Sequence, residues 1–206
     1  GVDTVSYATA GGAIVASLLA CTGGRAGVAD TYSSIENLIG SAYGDTLTGD
    51  TGVNSIAGGA GDDTLVGGGV VSPAAGYDTV DYSDAASGVS VNLGSGMASG
   101  DSIGTDSLTG FSRVIGSQFD DVLVGSSSND VFKPGFGDDI VTGAGGNDTL
   151  IYDNGPDVNM NVDLSLGLAT GEGTDQLTGI SNVGTGDGDD VLIGSTAGNW
   201  LSGGAG

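Results

Sequence analysis

The stretch Gly58-Gly-Ala-Gly-Asp-Asp63-Thr-Leu65-Val has glycine at three of its first four positions, aspartate at the sixth and leucine at the eighth. The pattern recurs nine and eighteen residues earlier, starting at Gly49 and at Gly40. A second array starts at Gly116, and a third covers the end of the chain. With one imperfect copy included, the sixth positions are Asp45, Asn54, Asp63, Asp78, Asp121, Asp130, Asp139, Asp148, Asp190 and Asn199. A sustained nonapeptide period indicates a repeat fold.

The eighth position of every repeat carries a large apolar residue. Eleven such positions can be read, namely Val5, Leu47, Ile56, Leu65, Val80, Leu123, Phe132, Val141, Leu150, Leu192 and Leu201. Each predicts a very short strand with the apolar side chain inward, while the glycines allow the intervening turn to take positive φ. Two nonapeptides make one coil, and coils stacked about 4.8 Å apart bury the apolar column. We therefore expect an all-β fold, a parallel β-roll or β-helix solenoid of stacked short strands with Gly/Asp-rich turns.

A longer period lies over the nonapeptides. The segment Gly1-Val-Asp-Thr-Val-Ser-Tyr7 recurs in related form at 76–82 and at 146–152. The recurrence predicts one continuous solenoid of three modules, covering residues 1–75, 76–145 and 146–206.

Between the recurring segment and the array, the second and third modules alternate apolar and polar residues. Val89 to Leu93 and Val158 to Leu164 follow this period of two, which predicts strands. The chain opens in the second half of a repeat and stops at Gly203-Gly-Ala-Gly206, the first half of one. We therefore expect a fragment of a longer repeat protein, whose coils continue beyond both ends.

The chain carries a formal charge of −23, from 26 acidic and three basic residues. Nucleic acids and anionic membranes require a basic surface, so neither is expected as a partner. All acidic residues except Glu36 and Glu172 are aspartates, whose short side chain suits tight turns and cation sites. The chain has no histidine and one cysteine, Cys21, which argues against an internal disulfide and against a zinc site.

Repeats two apart lie on the same side of the solenoid, so aspartates 18 residues apart become neighbours. The predicted pairs are Asp45 with Asp63, Asp121 with Asp139, and Asp130 with Asp148. Like charges this close are unfavourable unless a cation lies between the turns. Carboxylates and turn carbonyls offer oxygen ligands, which suit Ca²⁺ better than Mg²⁺ because Mg²⁺ demands octahedral geometry and holds its water tightly. We therefore expect several calcium ions between stacked turns.

The tandem pattern G-G-x-G-x-D-x-U-x, with U apolar, resembles the calcium-binding repeat of RTX, or hemolysin-type, proteins. The strict pattern covers roughly half of the chain, and the segments between arrays are similar to those of large bacterial RTX surface proteins. The resemblance implies export by type I secretion, folding outside the cell as calcium binds, and an extracellular or cell-surface location. It implies side-chain ligands from Asp45, Asp63, Asp121, Asp139, Asp130, Asp148, Asp190 and Asp78, and backbone carbonyl ligands from Gly58, Ala60, Gly143 and Gly145.

Two features depart from the strict repeat. Asn54 and Asn199 replace the sixth-position aspartate with an uncharged ligand. The insertion Val70–Ala75 separates Asp63 from Asp78, and we expect it to disturb the stacking of Asp78 on Asn54.

The remaining aspartates and the recurring tyrosines have simpler interpretations. We expect the fifth-position residues Asp62, Asp120, Asp138 and Asp189 to face solvent. We expect turns from the residues that recur once per module, Asp3, Asp30, Asp106 and Asp175. Core packing is the expected role of Tyr7, Tyr82 and Tyr152.

An enzyme is not expected, because histidine is absent and the three basic residues are scattered. Two functional classes stay open. One is a calcium-binding structural module of a secreted or cell-surface RTX protein, such as a segment of a stalk, surface layer, adhesin or filament. The other is a calcium-triggered folding and secretion module of a type I-secreted enzyme or toxin. Three modules with extended segments between arrays favour the first. The expected partners are calcium, other copies of the surface protein in end-to-end association, and flanking domains of the same chain.

Overall fold

The computed structural model describes residues 1–69, 76–153, 155 and 158–205. Their regular structure consists of short strands in two sheets, and none of these residues lies in a helix. The described part accordingly offers no apolar helix of the length that a bilayer crossing requires. The insertion Val70–Ala75 and the terminal Gly206 lie outside the described residues.

The first sheet contains nine strands, and each is parallel to its neighbours. With strands numbered in chain order, the sheet runs through β1 (Thr4–Ser6), β5 (Asn37–Ile39), β7 (Ser55–Ala57), β9 (Thr79–Asp81), β13 (Arg113–Ile115), β15 (Val131–Lys133), β17 (Asp148–Tyr152), β21 (Ile180–Thr185) and β23 (Trp200–Ser202). This order in space follows the order in sequence, as a stacked solenoid requires.

The second sheet contains fourteen strands and mixes two kinds of pairing. In spatial order it runs through β4 (Asp30–Thr31), β3 (Thr22–Arg25), β2 (Ile14–Ser17), β6 (Thr46–Thr48), β8 (Thr64–Val66), β12 (Gly104–Thr109), β11 (Met97–Gly100), β10 (Ser90–Asn92), β14 (Val122–Val124), β16 (Ile140–Thr142), β20 (Thr174–Thr178), β19 (Leu168–Thr170), β18 (Asn161–Asp163) and β22 (Val191–Ile193). The nonapeptide strands pair in parallel, whereas β2–β4, β10–β12 and β18–β20 are antiparallel meanders.

The meanders connect one nonapeptide array to the next. In the middle meander, β12 pairs with β8 of the preceding array, while β10 pairs with β14 of the following one. Both sheets therefore continue from array to array. The alternating sequences at 89–93 and 158–164 contain the strands β10 and β18, as predicted, although residues 158–160 lie outside the strand. The antiparallel partners of these strands were not predicted.

Residues of the intervening strands, such as Leu38 and Val114, are fully buried in the core, and so are most of the eighth-position residues. Eight of them are fully buried, namely Leu47, Ile56, Leu65, Val80, Leu123, Phe132, Val141 and Leu150. Val5, Leu192 and Leu201 are partly buried and pack against the same cluster. Complete burial of one such side chain contributes about 1.5–3 kcal/mol, so the column is a large apolar contribution to stability. The predicted all-β solenoid and its register are confirmed.

Glycines in the turns permit the coils to stack closely. Gly59 and Gly61 have φ of +96° and +118°, which side-chain-bearing residues rarely adopt. A Cβ at Gly59 would overlap the carbonyl oxygen of Ser41 in the preceding coil. The turn at 58–63 therefore needs glycine both for its conformation and for its contact with the neighbouring turn.

Candidate metal sites

Sixth-position aspartates stack in columns along the solenoid. The backbone N–H of Asp45 donates to Asp63 Oδ1 at 2.7 Å, and that of Asp121 donates to Asp139 Oδ1 at 2.8 Å. In the first-sheet column, Asp130 N–H donates to Asp148 Oδ1 at 2.8 Å. All three pairs expected from the 18-residue spacing are therefore neighbours. One carboxylate oxygen of each later aspartate fixes the distance between coils.

Asp78 belongs to the column beside the first sheet, despite the insertion that precedes it in the sequence. The backbone N–H of Asn54 donates to Asp78 Oδ1 at 2.9 Å, and Thr79 N–H donates to the Asn54 carbonyl at 2.8 Å. The expectation that the insertion disturbs this contact is wrong. Parallel pairing of β7 with β9 fixes the register of Asp78 from the strand side, whatever the length of the preceding turn.

The second carboxylate oxygen of several aspartates is buried without a hydrogen-bond partner in the described part of the chain. These atoms are Asp63 Oδ2, Asp78 Oδ2, Asp130 Oδ1, Asp139 Oδ2 and Asp148 Oδ2, called the unpaired oxygens below. Their side chains are at most 2% exposed. A buried carboxylate oxygen with no donor is costly, so each of these positions requires a proton or a cation.

First-position glycines make room for these carboxylates. A Cβ at Gly58 would overlap Asp63 Oδ2, and a Cβ at Gly143 would overlap Asp148 Oδ2. The carbonyl oxygens of Gly58 and Gly143 themselves approach the first-position glycines of the preceding turns, Gly40 and Gly125. Carboxylate and carbonyl oxygens thus converge between stacked turns, which is the donor set that a hard divalent cation prefers.

Burial makes these carboxylates difficult to ionise without a counter-charge. Loss of solvation raises the pKa of Asp63 to about 7 and that of Asp139 to about 8, although backbone N–H groups oppose the shift. It also raises the pKa of Asp148 to about 6 and raises the pKa of Asp78 and of Asp130. Within the described residues, no three acidic, cysteine or histidine side chains form a metal-binding group. Carbonyl ligands are therefore needed beside the aspartates.

Four segments match the family of the RTX calcium-binding nonapeptide repeat, at residues 39–69, 115–150, 135–158 and 184–206. These segments are RTX calcium-binding nonapeptide repeats. No curated protein is significantly similar to the chain. RTX repeats bind calcium, and the family is a structural module rather than a catalytic one. The unpaired oxygens and the glycine-lined turns fit that ion.

Two RTX aspartates already have protein donors for both carboxylate oxygens. Asp45 Oδ1 accepts from Ile14 N–H and the Ser41 hydroxyl, and its Oδ2 accepts from Ser41 N–H. Asp121 is bound in the same way by Val89 N–H and by Ser117. In both cases the serine at the second position of the array's first turn, Ser41 or Ser117, supplies donors that the glycine-rich turns lack.

Asp190, the predicted ligand in the third array, resembles these two. It is partly exposed, its Oδ1 accepts from Met160 N–H at 2.8 Å, and its Oδ2 accepts from the Thr185 hydroxyl at 2.5 Å. Calcium ligation stays a prediction for every one of the expected side chains and carbonyls, and Asp45, Asp121 and Asp190 differ from the other aspartates in that both of their oxygens already have protein donors.

Asp106 and Asp175 were expected to form turns, but they lie in meander strands and complete the aspartate columns. Asp106 Oδ1 accepts from Asp63 N–H at 3.0 Å, and its Oδ2 accepts from the Tyr82 hydroxyl at 2.9 Å. Asp175 accepts from Asp139 N–H and from the Tyr152 hydroxyl in the same arrangement. Tyr82 and Tyr152 are buried, as expected, and also hold these carboxylates. The recurrence of each tyrosine 23 or 24 residues before its aspartate was the available signal.

Fifth-position residues form a second, exposed column. The N–H groups of Thr105, Asp138 and Thr174 donate to the Oδ1 atoms of Asp62, Asp120 and Asp138, respectively, at 2.8 Å. All three aspartates are exposed, as expected, and Asp189 is exposed as well. Their role in the RTX turns is to accept an inter-coil hydrogen bond at the surface.

Proposed function

We propose that this chain is a calcium-binding structural module of a type I-secreted, extracellular or cell-surface protein, where it forms a segment of a stalk, surface layer, adhesin or filament. The observation that carries the proposal is the set of unpaired oxygens in stacked RTX turns. A chain of charge −23 has no comparable supply of internal cations, because it contains only three basic residues. Among the described residues, its one ion pair joins Lys133 to Asp153 and involves none of the sixth-position aspartates.

Calcium in this proposal lies between turns of successive coils and neutralises Asp63, Asp78, Asp130, Asp139 and Asp148. Each of these aspartates already uses one oxygen in a hydrogen bond within the stack. The bound ion therefore adds its stabilisation to that of these hydrogen bonds in the folded state. Because the metal-free site is unfavourable, the free energy of calcium binding contributes directly to folding.

The continuity of the two sheets supports a structural role. The array strand β8 pairs with β12 of the meander, and β10 of that meander pairs with β14 of the next array. Calcium in one array thus stabilises coils on which the next array stacks. A folding and secretion module beside a catalytic domain needs one compact array, whereas a mechanical segment needs this connection between arrays. Association with further copies belongs to the same proposal.

Single-molecule pulling from the two ends tests the structural role. We expect the calcium-loaded chain to resist extension and to lose this resistance in chelator. A chain that folds only with calcium, yet extends at the same low force when loaded, would contradict the structural role. That result would support the folding and secretion role.

A further inference from the structure

The first turn of each array on the first sheet occupies an equivalent place in the fold. These turns cover residues 49–54, 125–130 and 194–199. The strands that follow pair with the preceding coil in one register, Ser55 with Asn37, Val131 with Arg113, and Trp200 with Asn182. The sixth positions of the three turns, Asn54, Asp130 and Asn199, can therefore be compared atom by atom.

The two asparagines bridge the coils without a cation. Asn54 Oδ1 accepts from the second-position N–H of Asp50 at 2.8 Å, and its amide nitrogen donates to the Glu36 carbonyl of the preceding coil at 2.9 Å. Asn199 Oδ1 accepts from the N–H of Ser195 at 2.7 Å, and its amide nitrogen donates to the Ser181 carbonyl at 2.9 Å. Each inter-coil contact is thus a complete hydrogen bond.

Asp130 makes only the first of these two bonds. Its Oδ2 accepts from Ser126 N–H at 2.6 Å, which corresponds to the bond accepted by the asparagine oxygens. Its Oδ1 takes the place of the amide nitrogen, is buried, and has no partner among the described residues. The equivalent backbone carbonyl is that of Ser112, which accepts from Val131 N–H at 2.9 Å. At this contact both groups, Asp130 Oδ1 and the Ser112 carbonyl, are acceptors. Each asparagine contact instead joins an amide donor to a carbonyl acceptor.

The residue of the preceding coil that pairs with the seventh position changes together with the sixth-position residue. Asn37 Oδ1 accepts from Ser55 N–H at 3.2 Å, and Asn182 Oδ1 accepts from Trp200 N–H at 3.3 Å. These bonds leave the Glu36 and Ser181 carbonyls free for the amides of Asn54 and Asn199. Arg113 has no acceptor atom to offer, so the Ser112 carbonyl takes the strand N–H instead. In the described part of the chain, Arg113 makes no ion pair with Asp130.

We propose that the amides of Asn54 and Asn199 stand in for calcium at contacts where Asp130 needs an ion, with Asp130 Oδ1 and the Ser112 carbonyl as ligands. This proposal rests on calcium binding by the chain as a whole. The sixth-position residue, called the selector below, then determines which of two kinds of contact joins neighbouring coils. Aspartate at this position gives a contact that requires calcium, and asparagine gives a contact that does not.

Reciprocal substitutions test the selector by counting bound calcium ions with native mass spectrometry and isothermal titration calorimetry. We expect Asp130→Asn to bind one ion fewer than the unmodified chain while keeping its β structure in calcium. We expect Asn54→Asp to bind one ion more, because it places a carboxylate beside Asp50, which lies 3.4 Å from the present amide. The matched control is Asn129→Asp, where the exposed fifth-position Oδ1 already accepts from Asn147 N–H and no ion should be added.

An unchanged ion count in either Asp130→Asn or Asn54→Asp overturns the selector. Loss of the fold in calcium-loaded Asp130→Asn also overturns it, because the amide is proposed to serve in place of the ion. An unmodified chain that binds no calcium would instead refute the proposed function itself.

Discussion

Asp138 and Asp139 are adjacent residues with contrasting surroundings. Asp139 is 1% exposed, and only one of its oxygens is paired, with Asp121 N–H. Asp138 is exposed, and its Oδ1 accepts from Thr174 N–H at 2.8 Å. Substitution by asparagine keeps the Oδ1 acceptor at either site and replaces only Oδ2, with an amide nitrogen. The pair therefore separates the role of a buried ligand from that of an inter-coil acceptor.

We expect Asp139→Asn to remove one calcium ion per chain or to weaken its binding by at least about tenfold, because a charged oxygen ligand is lost. Asp138→Asn should leave the calcium count unchanged and change affinity by less than about twofold, because exposed charges are screened. Calorimetric titration of both variants measures the difference. Equal effects at the two positions would contradict the assignment of the buried Asp139 oxygen as a calcium ligand.

The pH dependence of the metal-free chain follows from the same buried carboxylates. The pKa of Asp63 is about 7 and that of Asp139 about 8, both above the unfolded value of about 3.9. Protonation therefore favours the folded state, and this stabilisation is complete below about pH 4. It is lost as the pH rises through 7 to 8.

We expect metal-stripped protein to be more folded at pH 5 than at pH 9, measured by circular dichroism. Calcium should remove most of this dependence, because it replaces the protons. A metal-free chain that gains structure as the pH rises would contradict the assignment of raised pKa values to these aspartates.

At the scale of elements, a hydrogen bond from a tyrosine hydroxyl to an aspartate side chain links a meander strand to the neighbouring array. The Tyr152 hydroxyl donates to Asp175, whose side chain is 1% exposed. Removal of this hydroxyl leaves a buried carboxylate oxygen without its donor. The corresponding bond from Tyr7 to Asp30 is 3.2 Å long and exposed.

Tyr152→Phe should lower the free energy of unfolding in calcium by about 1–3 kcal/mol, the cost of a buried acceptor without a partner. Tyr7→Phe should cost less than about 0.5 kcal/mol, because water replaces an exposed donor. Urea denaturation in saturating calcium compares the two variants. A Tyr152→Phe protein as stable as the unmodified chain would mean that Asp175 does not depend on this bond.

Sequence reasoning identified the nonapeptide strands but missed two strands in each of the second and third meanders and all three strands of the first. The eighth positions repeat strictly, so residues such as Leu47 and Leu65 reveal their own stacking. In β12, by contrast, the inward side chains are Asp106 and Leu108, and a buried aspartate interrupts the apolar alternation that marks a strand. Asp106 is buried only because Tyr82 and the Asp63 N–H bind it, and those contacts come from distant parts of the chain.

At the candidate sites, too, the spacing of the repeats does not reveal the contacts that come from distant parts of the chain. Spacing predicted that Asp121 and Asp139 are neighbours, because an 18-residue interval is one coil. It did not distinguish Asp121, whose oxygens are paired by Ser117 and Val89, from Asp139, which has an unpaired oxygen. That distinction depends on the residue at the second position of each turn and on the coil beneath it.

At the scale of the whole molecule, calcium and folding form one equilibrium. The apolar column is one residue deep per strand, and the turns carry aspartates whose charges oppose stacking. A chain of 206 residues has a radius of gyration of about 50 Å when unfolded and about 17 Å when compact, so the transition is large. Ions bound between turns of the first and second arrays should make it cooperative, because the meanders join all the arrays into shared sheets.

The far-UV circular dichroism spectrum of the metal-stripped chain at pH 8, recorded in EDTA and then during titration with calcium, tests this coupling most directly. We predict a coil spectrum in EDTA, a sigmoidal conversion to a β spectrum as free calcium rises, and little conversion at the same concentration of magnesium. A complete β spectrum in excess EDTA, unchanged by calcium, would contradict the account.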